Sequence, residues 1–115
     1  MIKLEYVTSD NFREEVTDSD IPVVVWFKGS WCGQCQAIFP MISNTAEELQ
    51  DEIKFVCIDC PLDINPEDHW LMAPLKVQRV PAFMFIKNGT VYGGHEGGLN
   101  EEQLDQLITK NIRQK

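Results

Sequence analysis

Trp31-Cys32-Gly33-Gln34-Cys35 follows the apolar run Val23-Val24-Val25-Trp26-Phe27 and opens a segment with helical spacing, Ile38, Met41, Ile42, Thr45 and Leu49. A buried strand therefore turns into a helix at a pair of cysteines three residues apart. The first turn of a helix carries unpaired N–H groups and the positive end of the dipole, and both favour a thiolate over a thiol. Cys32, met first at the cap, is the expected ionised nucleophile. Cys35, one turn further in, is the expected protonated and buried resolving partner. Gly33 leaves the approach to the pair free of a Cβ. A Cys-x-x-Cys beside a strand-helix pattern in a chain without a secretion signal is a redox signature, with half of a zinc site as the competing reading.

The bulk composition supports an ordinary folded domain. The chain has 115 residues, 43% hydrophobic and 24% charged, enough for a single domain over residues 1–115 to bury a core without staples. A net charge of −8, from 18 acidic and 10 basic residues, excludes a nucleic-acid surface, which needs clustered Lys and Arg. Met1 to Glu5 lacks the apolar stretch of a signal peptide, and no later run reaches membrane-spanning length. A cytoplasmic location and no membrane association are the expectation.

Outward from the cysteines, the elements alternate. Ile2 to Val7 reads as a short strand, and Ser9-Asp10 as the cap of a helix carrying Phe12, Glu15 and Val16. Asp18 to Pro22 turns into the central strand, apolar on both faces as a strand covered by helices on both sides must be. The helix after it runs from about Cys32 to Asp51 with Pro40 inside, which removes one rung and kinks it. Lys54 to Cys60 is the next strand; Asn65 then caps a short helix with Pro66 at its first position and Pro74 as its stop, after about Ala73. Asn88-Gly89 joins Ala82–Lys87 to Thr90–Gly93 as a hairpin. Gly93, Gly94, Gly97 and Gly98 form a loose connection to a last helix, capped by Asn100, with Leu104, Leu107, Ile108 and Ile112 on one face.

This order of motifs resembles the thioredoxin family over nearly the whole chain: an apolar strand, Trp31-Cys32-Gly33-x-Cys35, Pro40 in the following helix, Val80-Pro81, Lys87-Asn88-Gly89 and Gly97. The resemblance implies an α/β fold, a mixed five-stranded sheet flanked by four helices, and thiol-disulfide exchange on protein substrates. It implies a cis Val80-Pro81 bond lying against the thiols, with Val80 pairing to an extended substrate. Trp31 would act as a flat apolar lid, Gly33 and Gln34 would flank the substrate chain, and Gly97 would leave room for it. No cofactor is implied; a thioredoxin-reductase-like donor supplies electrons to what is expected to be a monomer.

Four features depart from the family pattern. Gln34 stands where many thioredoxins have proline. The buried acid that assists proton transfer at the resolving thiol falls at Trp26, and its lysine partner falls at Cys57; losing both is self-consistent, since either charge alone is costly to bury. Cys35 must then give its proton to water or to a group such as Asp59, and slow release of mixed disulfides is the expectation. The region around Asp63 to His69 is longer by a few residues, as a surface insertion would make it.

Three further groups complete the inventory. Cys57 and Cys60 give a second Cys-x2-Cys, with 21 residues between Cys35 and Cys57, a little longer than a zinc-ribbon spacing. On a strand, however, residues three apart point to opposite faces, so these thiols diverge where zinc needs four convergent ones. Cys57 is expected as a small buried hydrophobe and Cys60 as partly exposed; no metal site is expected. His69 and His95 are expected at the surface, and Glu47, Glu48, Asp51 and Glu52 as a solvated acidic face. Besides the oxidoreductase, a non-catalytic binding module on the same fold and a structural zinc domain are the alternatives. Gln34 restores a backbone N–H near the thiolate and loosens the turn, so equilibration with glutathione should give a potential less negative than the about −270 mV of thioredoxin itself. A value at or below that overturns the expectation.

Overall fold

A computed structural model describes residues 4–113. Its five strands form one sheet in the order β1-β3-β2-β4-β5: β1 (Glu5–Tyr6), β2 (Val23–Lys28), β3 (Lys54–Asp59), β4 (Ala82–Lys87) and β5 (Thr90–Glu96). β2 is central, parallel to β3 and antiparallel to β4, with Trp26 opposite Cys57 on one side and Phe83 on the other. β1 runs parallel to β3, and β5 is antiparallel to β4, so the sheet is mixed as expected. Of the expected first strand, Ile2 and Lys3 lie outside the described residues.

Strand alternation sorts the core into two layers. Val24, Trp26, Phe83 and Phe85 face α1 (Gly33–Glu48) and α3 (Glu101–Asn111), meeting Cys35, Ile42, Leu104 and Ile108. Val23, Val25, Phe27 and Ile58 face the opposite way, toward Val16, Leu71, Met72 and Val77. Both faces of β2 are thus covered, which is why its sequence does not alternate. Pro40 lies inside α1, where its ring removes the rung to the Gln36 carbonyl. Asn100 caps α3 through a reciprocal pair: the Gln103 N–H donates to Asn100 Oδ1 at 2.8 Å and the Asn100 N–H to Gln103 Oε1 at 2.9 Å.

The hairpin turn is as expected, with φ of 53° at Asn88 and 77° at Gly89, the left-handed pair that this two-residue turn requires. Elsewhere local chemistry redraws the boundaries. The first helix is one π-type turn, Arg13–Thr17, and Ser9-Asp10 does not cap it. Instead the Thr8 N–H donates to Asn11 Oδ1 at 2.8 Å and the Asp10 N–H to Thr8 Oγ1 at 3.2 Å, a side-chain turn that competes with capping. β5 continues through Gly93 and Gly94 rather than ending there. A Cβ at Gly93 would collide with the Asn111 side chain and one at Gly94 with Met84, so these glycines admit neighbours to the strand.

The expected helix from Asn65 to Ala73 is two pieces: a 3-10 turn, Pro66–Asp68, without a side-chain cap from Asn65, and α2 (Met72–Leu75). Pro74 does not stop α2 but sits in its first turn, where a missing N–H costs nothing. The chain leaves α2 through Lys76 at φ 59°. Between the pieces lies His69, which is buried at 5% exposure instead of at the surface. Its Nδ1 accepts the Leu71 and Met72 N–H groups at 3.1 and 3.2 Å, so Nε2 carries the hydrogen and donates to the Asp59 carbonyl at 2.8 Å. One imidazole ties the end of β3 to the start of α2 and closes the loop between them. His69→Ala leaves two N–H donors and a carbonyl unpaired, and should lower stability by about 2–4 kcal/mol, read as a shift of the urea midpoint. An unchanged midpoint would show that water replaces the ring.

Candidate active site

The end of β2 delivers the chain to the cysteine pair through a tight turn. The Cys32 N–H donates to the Gly29 carbonyl at 3.1 Å, and Cys32 itself is the N-cap of α1, its Sγ accepting the Cys35 N–H at 3.1 Å. A sulfur thus occupies the place usually held by a capping oxygen, where helix N–H groups favour negative charge. The two Cα atoms are 5.3 Å apart and the sulfurs are joined as a disulfide. Cys32 is 6% exposed and Cys35 fully buried, so the outer sulfur belongs to Cys32 as the spacing predicts.

Trp31 lies over this turn, 47% exposed. Its indole N–H donates to the Cys60 carbonyl at 2.9 Å, and a Cβ at Gly29 would collide with the ring. Glycine at 29 is therefore what lets the indole lie flat. Gly33 is exposed with open space about it. Gln34 rests its amide against Gly98, where a Cβ would displace it. The Val80-Pro81 bond is cis. The Gly97 N–H donates to the Pro81 carbonyl at 2.7 Å, and Gly97 has φ 100° with nothing within 4 Å of a notional Cβ. Val80 packs against the layer that contains both cysteines. Three separate loops are thereby brought round the pair: 29–34, 80–81 and 97–98.

Under the pair, Trp26 and Cys57 stand at the positions of the family pattern's acid and lysine. Trp26 is buried and stacked, its ring centroid 6.4 Å from that of Phe83 and 6.2 Å from that of Phe39. Its indole N–H has no hydrogen-bond partner among the described residues. Lys28, two residues along the strand and so on the same side, holds Nζ 5.4 Å from the Trp26 ring centroid and 5.1 Å from that of Tyr6. Sequence reading missed this ammonium, although the strand period was the signal for it. Asp59, the substitute acid, is exposed beside Pro61 and Trp70 at the C-terminal end of β3, level with Lys28 at the end of β2, and outside the buried layer around Cys35.

Cys57 and Cys60 fall in the two different core layers, so the four cysteines do not converge on one point. Both are free and buried, Cys60 included, which corrects the expectation that it is partly exposed. Cys60 lies on the second face of the sheet in the layer of Phe27, Ile58, Leu71 and Met72. His95 is half-buried, with Nε2 3.3 Å from the Gly98 carbonyl. The acidic residues Glu47, Glu48, Asp51 and Glu52 are exposed, Glu52 pairing with Arg113 at 3.1 Å.

Burial pushes the Cys57 thiol up to about 12, partly opposed by Lys28, and the Cys60 thiol up to about 12, with Asp59 adding to it. Both are held protonated in the fold, whereas an unfolded chain ionises them from about 8.5 upward. Stability is therefore full below that value and is lost as pH rises from there toward 12. Cys57→Val should flatten this alkaline loss in denaturant titrations at successive pH values. An identical slope in the variant would remove Cys57 as its source.

Among the described residues no helix is long and apolar enough to cross a membrane. The family model for thioredoxin matches residues 3–110. The chain is 34% identical over 106 residues to a thioredoxin of Rickettsia typhi, covering 92% of this chain and 96% of that one. It is 31% identical over 111 residues to a thioredoxin of Porphyra purpurea, with 96% and 99% covered, and 30% over 113 residues to one of Haemophilus influenzae, with 97% and 100% covered. With cysteines paired at the mouth of α1 and matches spanning nearly its whole length, the chain belongs to the thioredoxin family and is a thiol-disulfide oxidoreductase.

Proposed function

We propose that the chain works in the cytoplasm as a monomeric, single-domain reductant of disulfides in protein substrates, with Cys32 as nucleophile and Cys35 as resolving thiol. The Cys32 thiolate attacks one sulfur of the substrate disulfide, and the other leaves as a thiolate that takes up a proton. Cys35 then loses its proton and attacks Cys32 Sγ. The second substrate sulfur leaves, and two electrons have passed from the protein to the substrate. A thioredoxin-reductase-type partner returns them, so no bound cofactor enters the cycle.

The observation that carries this reading is the N-cap sulfur: Cys32 Sγ accepts the Cys35 N–H at 3.1 Å, a bond that strengthens when the sulfur is negative. An extended substrate strand fits across Trp31, Gly33 and Gln34 on one side and Val80, Pro81 and Gly97 on the other. Gly97, with open space where a Cβ would stand, supports that path. With Trp26 in place of an acid, water takes the Cys35 proton, and resolution is the slow step. Insulin reduction separates the two thiols. Cys32→Ser should abolish turnover, while Cys35→Ser should retain the first attack and accumulate a substrate-protein mixed disulfide visible on non-reducing gels. Turnover surviving in Cys32→Ser would sink the assignment.

A further inference from the structure

An open groove of about 330 Å³ lies beside the redox pair, bounded by Trp31 and Val80 on one side and by Leu62, Ile64 and Met72 on the other, with Arg79 among its lining residues. The segment that closes β3 and follows it supplies Cys60, Pro61, Leu62, Ile64, Asn65 and Pro66 to its lining. Leu62 is 71% and Ile64 43% exposed, and with Trp31 they gather three large apolar side chains around one concavity. Scattered apolar residues on a surface mean little, but a cluster round a cleft marks a binding surface. The wall is also fixed in place, since His69 ties Asp59 to Leu71 and Met72 across the base of the loop.

Charge narrows the occupant. The chain carries −8 overall, yet no carboxylate lines this groove, and Arg79 is its sole charged lining residue among those described. Arg79 pairs through Nε with Glu96 at 3.3 Å, and Glu96 also accepts the Gln78 N–H at 3.0 Å. The guanidinium is thus held at the groove while the Arg79 side chain stays 76% exposed. The groove is continuous with the substrate path, because Trp31 and Val80 belong to both.

We propose that this groove is a specificity pocket for the substrate polypeptide. It takes an apolar side chain from the segment flanking the attacked disulfide, and Arg79 takes a carboxylate next to that side chain. The proposal rests on the reading of Cys32 as the attacking thiol. Exchange itself is unchanged: the substrate disulfide is reduced to two thiols as Cys32 and Cys35 are oxidised, and the groove sets which disulfide is presented.

The test uses the pre-reduced protein as a stoichiometric reagent against two synthetic peptides, each with one intramolecular disulfide, one flanked by Leu-Asp and the other by Ser-Lys. Hydroxyethyl disulfide, too short to reach the groove, sets the reference rate for every variant. The Leu-Asp peptide should oxidise the wild-type protein about tenfold faster than the Ser-Lys peptide, the range a pocket contact commands. Leu62→Ser with Ile64→Ser should bring the Leu-Asp rate, relative to the reference, down about tenfold. Arg79→Ala should remove the preference for Asp over Lys in otherwise identical peptides. Equal rates for the two peptides, or a preference surviving in both variants, would overturn the pocket while leaving the redox chemistry intact. Failure of every disulfide, hydroxyethyl disulfide included, to oxidise Cys32 would overturn both together.

Discussion

The constraint on which everything else rests is the two-sided burial of β2. From Val23 to Phe27 every side chain is out of water, so the strand can hold no unpaired charge, and the chemistry is displaced to the place where the strand ends. There the backbone changes from extended to helical within a few residues and exposes N–H groups that the strand has no further use for. Cys32 stands at that exchange point. Its sulfur completes the first turn of the helix by accepting the Cys35 N–H.

The same constraint explains how the chain lives without the buried acid and lysine of its relatives' pattern. An indole and a thiol replace a carboxylate and an ammonium, and both pack in the hydrophobic layer that holds Cys35. The exchange leaves a residue of frustration: one indole N–H without a partner among the described residues, at about 1–3 kcal/mol. Stacking on Phe83 and Phe39 and the Lys28 ammonium over the Trp26 ring offset part of this. Positive charge is thus kept near the position where the family places it, carried by a neighbouring strand residue and directed at a π-face instead of a carboxylate.

The sheet, the cysteine pair, the hairpin and the last helix were all legible in the sequence, because each is written in local periodicity or in a residue that only one conformation suits. Asn88-Gly89 needs two left-handed residues, and Asn100 with Gln103 makes a cap whatever the rest does. The failures share a physical cause. His69 was read as a surface residue because its three partners, Asp59, Leu71 and Met72, become visible only when β3 and α2 are placed side by side. Gly93 and Gly94 were read as loop because the side chains that need their emptiness, Asn111 and Met84, come from other elements. Cys60 is expected to be partly exposed because it stands at the end of β3, and its burial comes from packing with Leu71 and Met72, which are distant in sequence. The roles of Val80, Pro81 and Gly97 came from likeness alone; no periodicity marks them.

The imidazole at position 69 has a consequence for how such a chain can diversify. Its three bonds fix where the strand lets the backbone go and where the helix takes it up again, independent of what lies between. Residues 61–68 are therefore an interchangeable cassette: their length and lettering can drift while the frame stays still, and a new recognition preference can be written there without touching the sulfur chemistry next door.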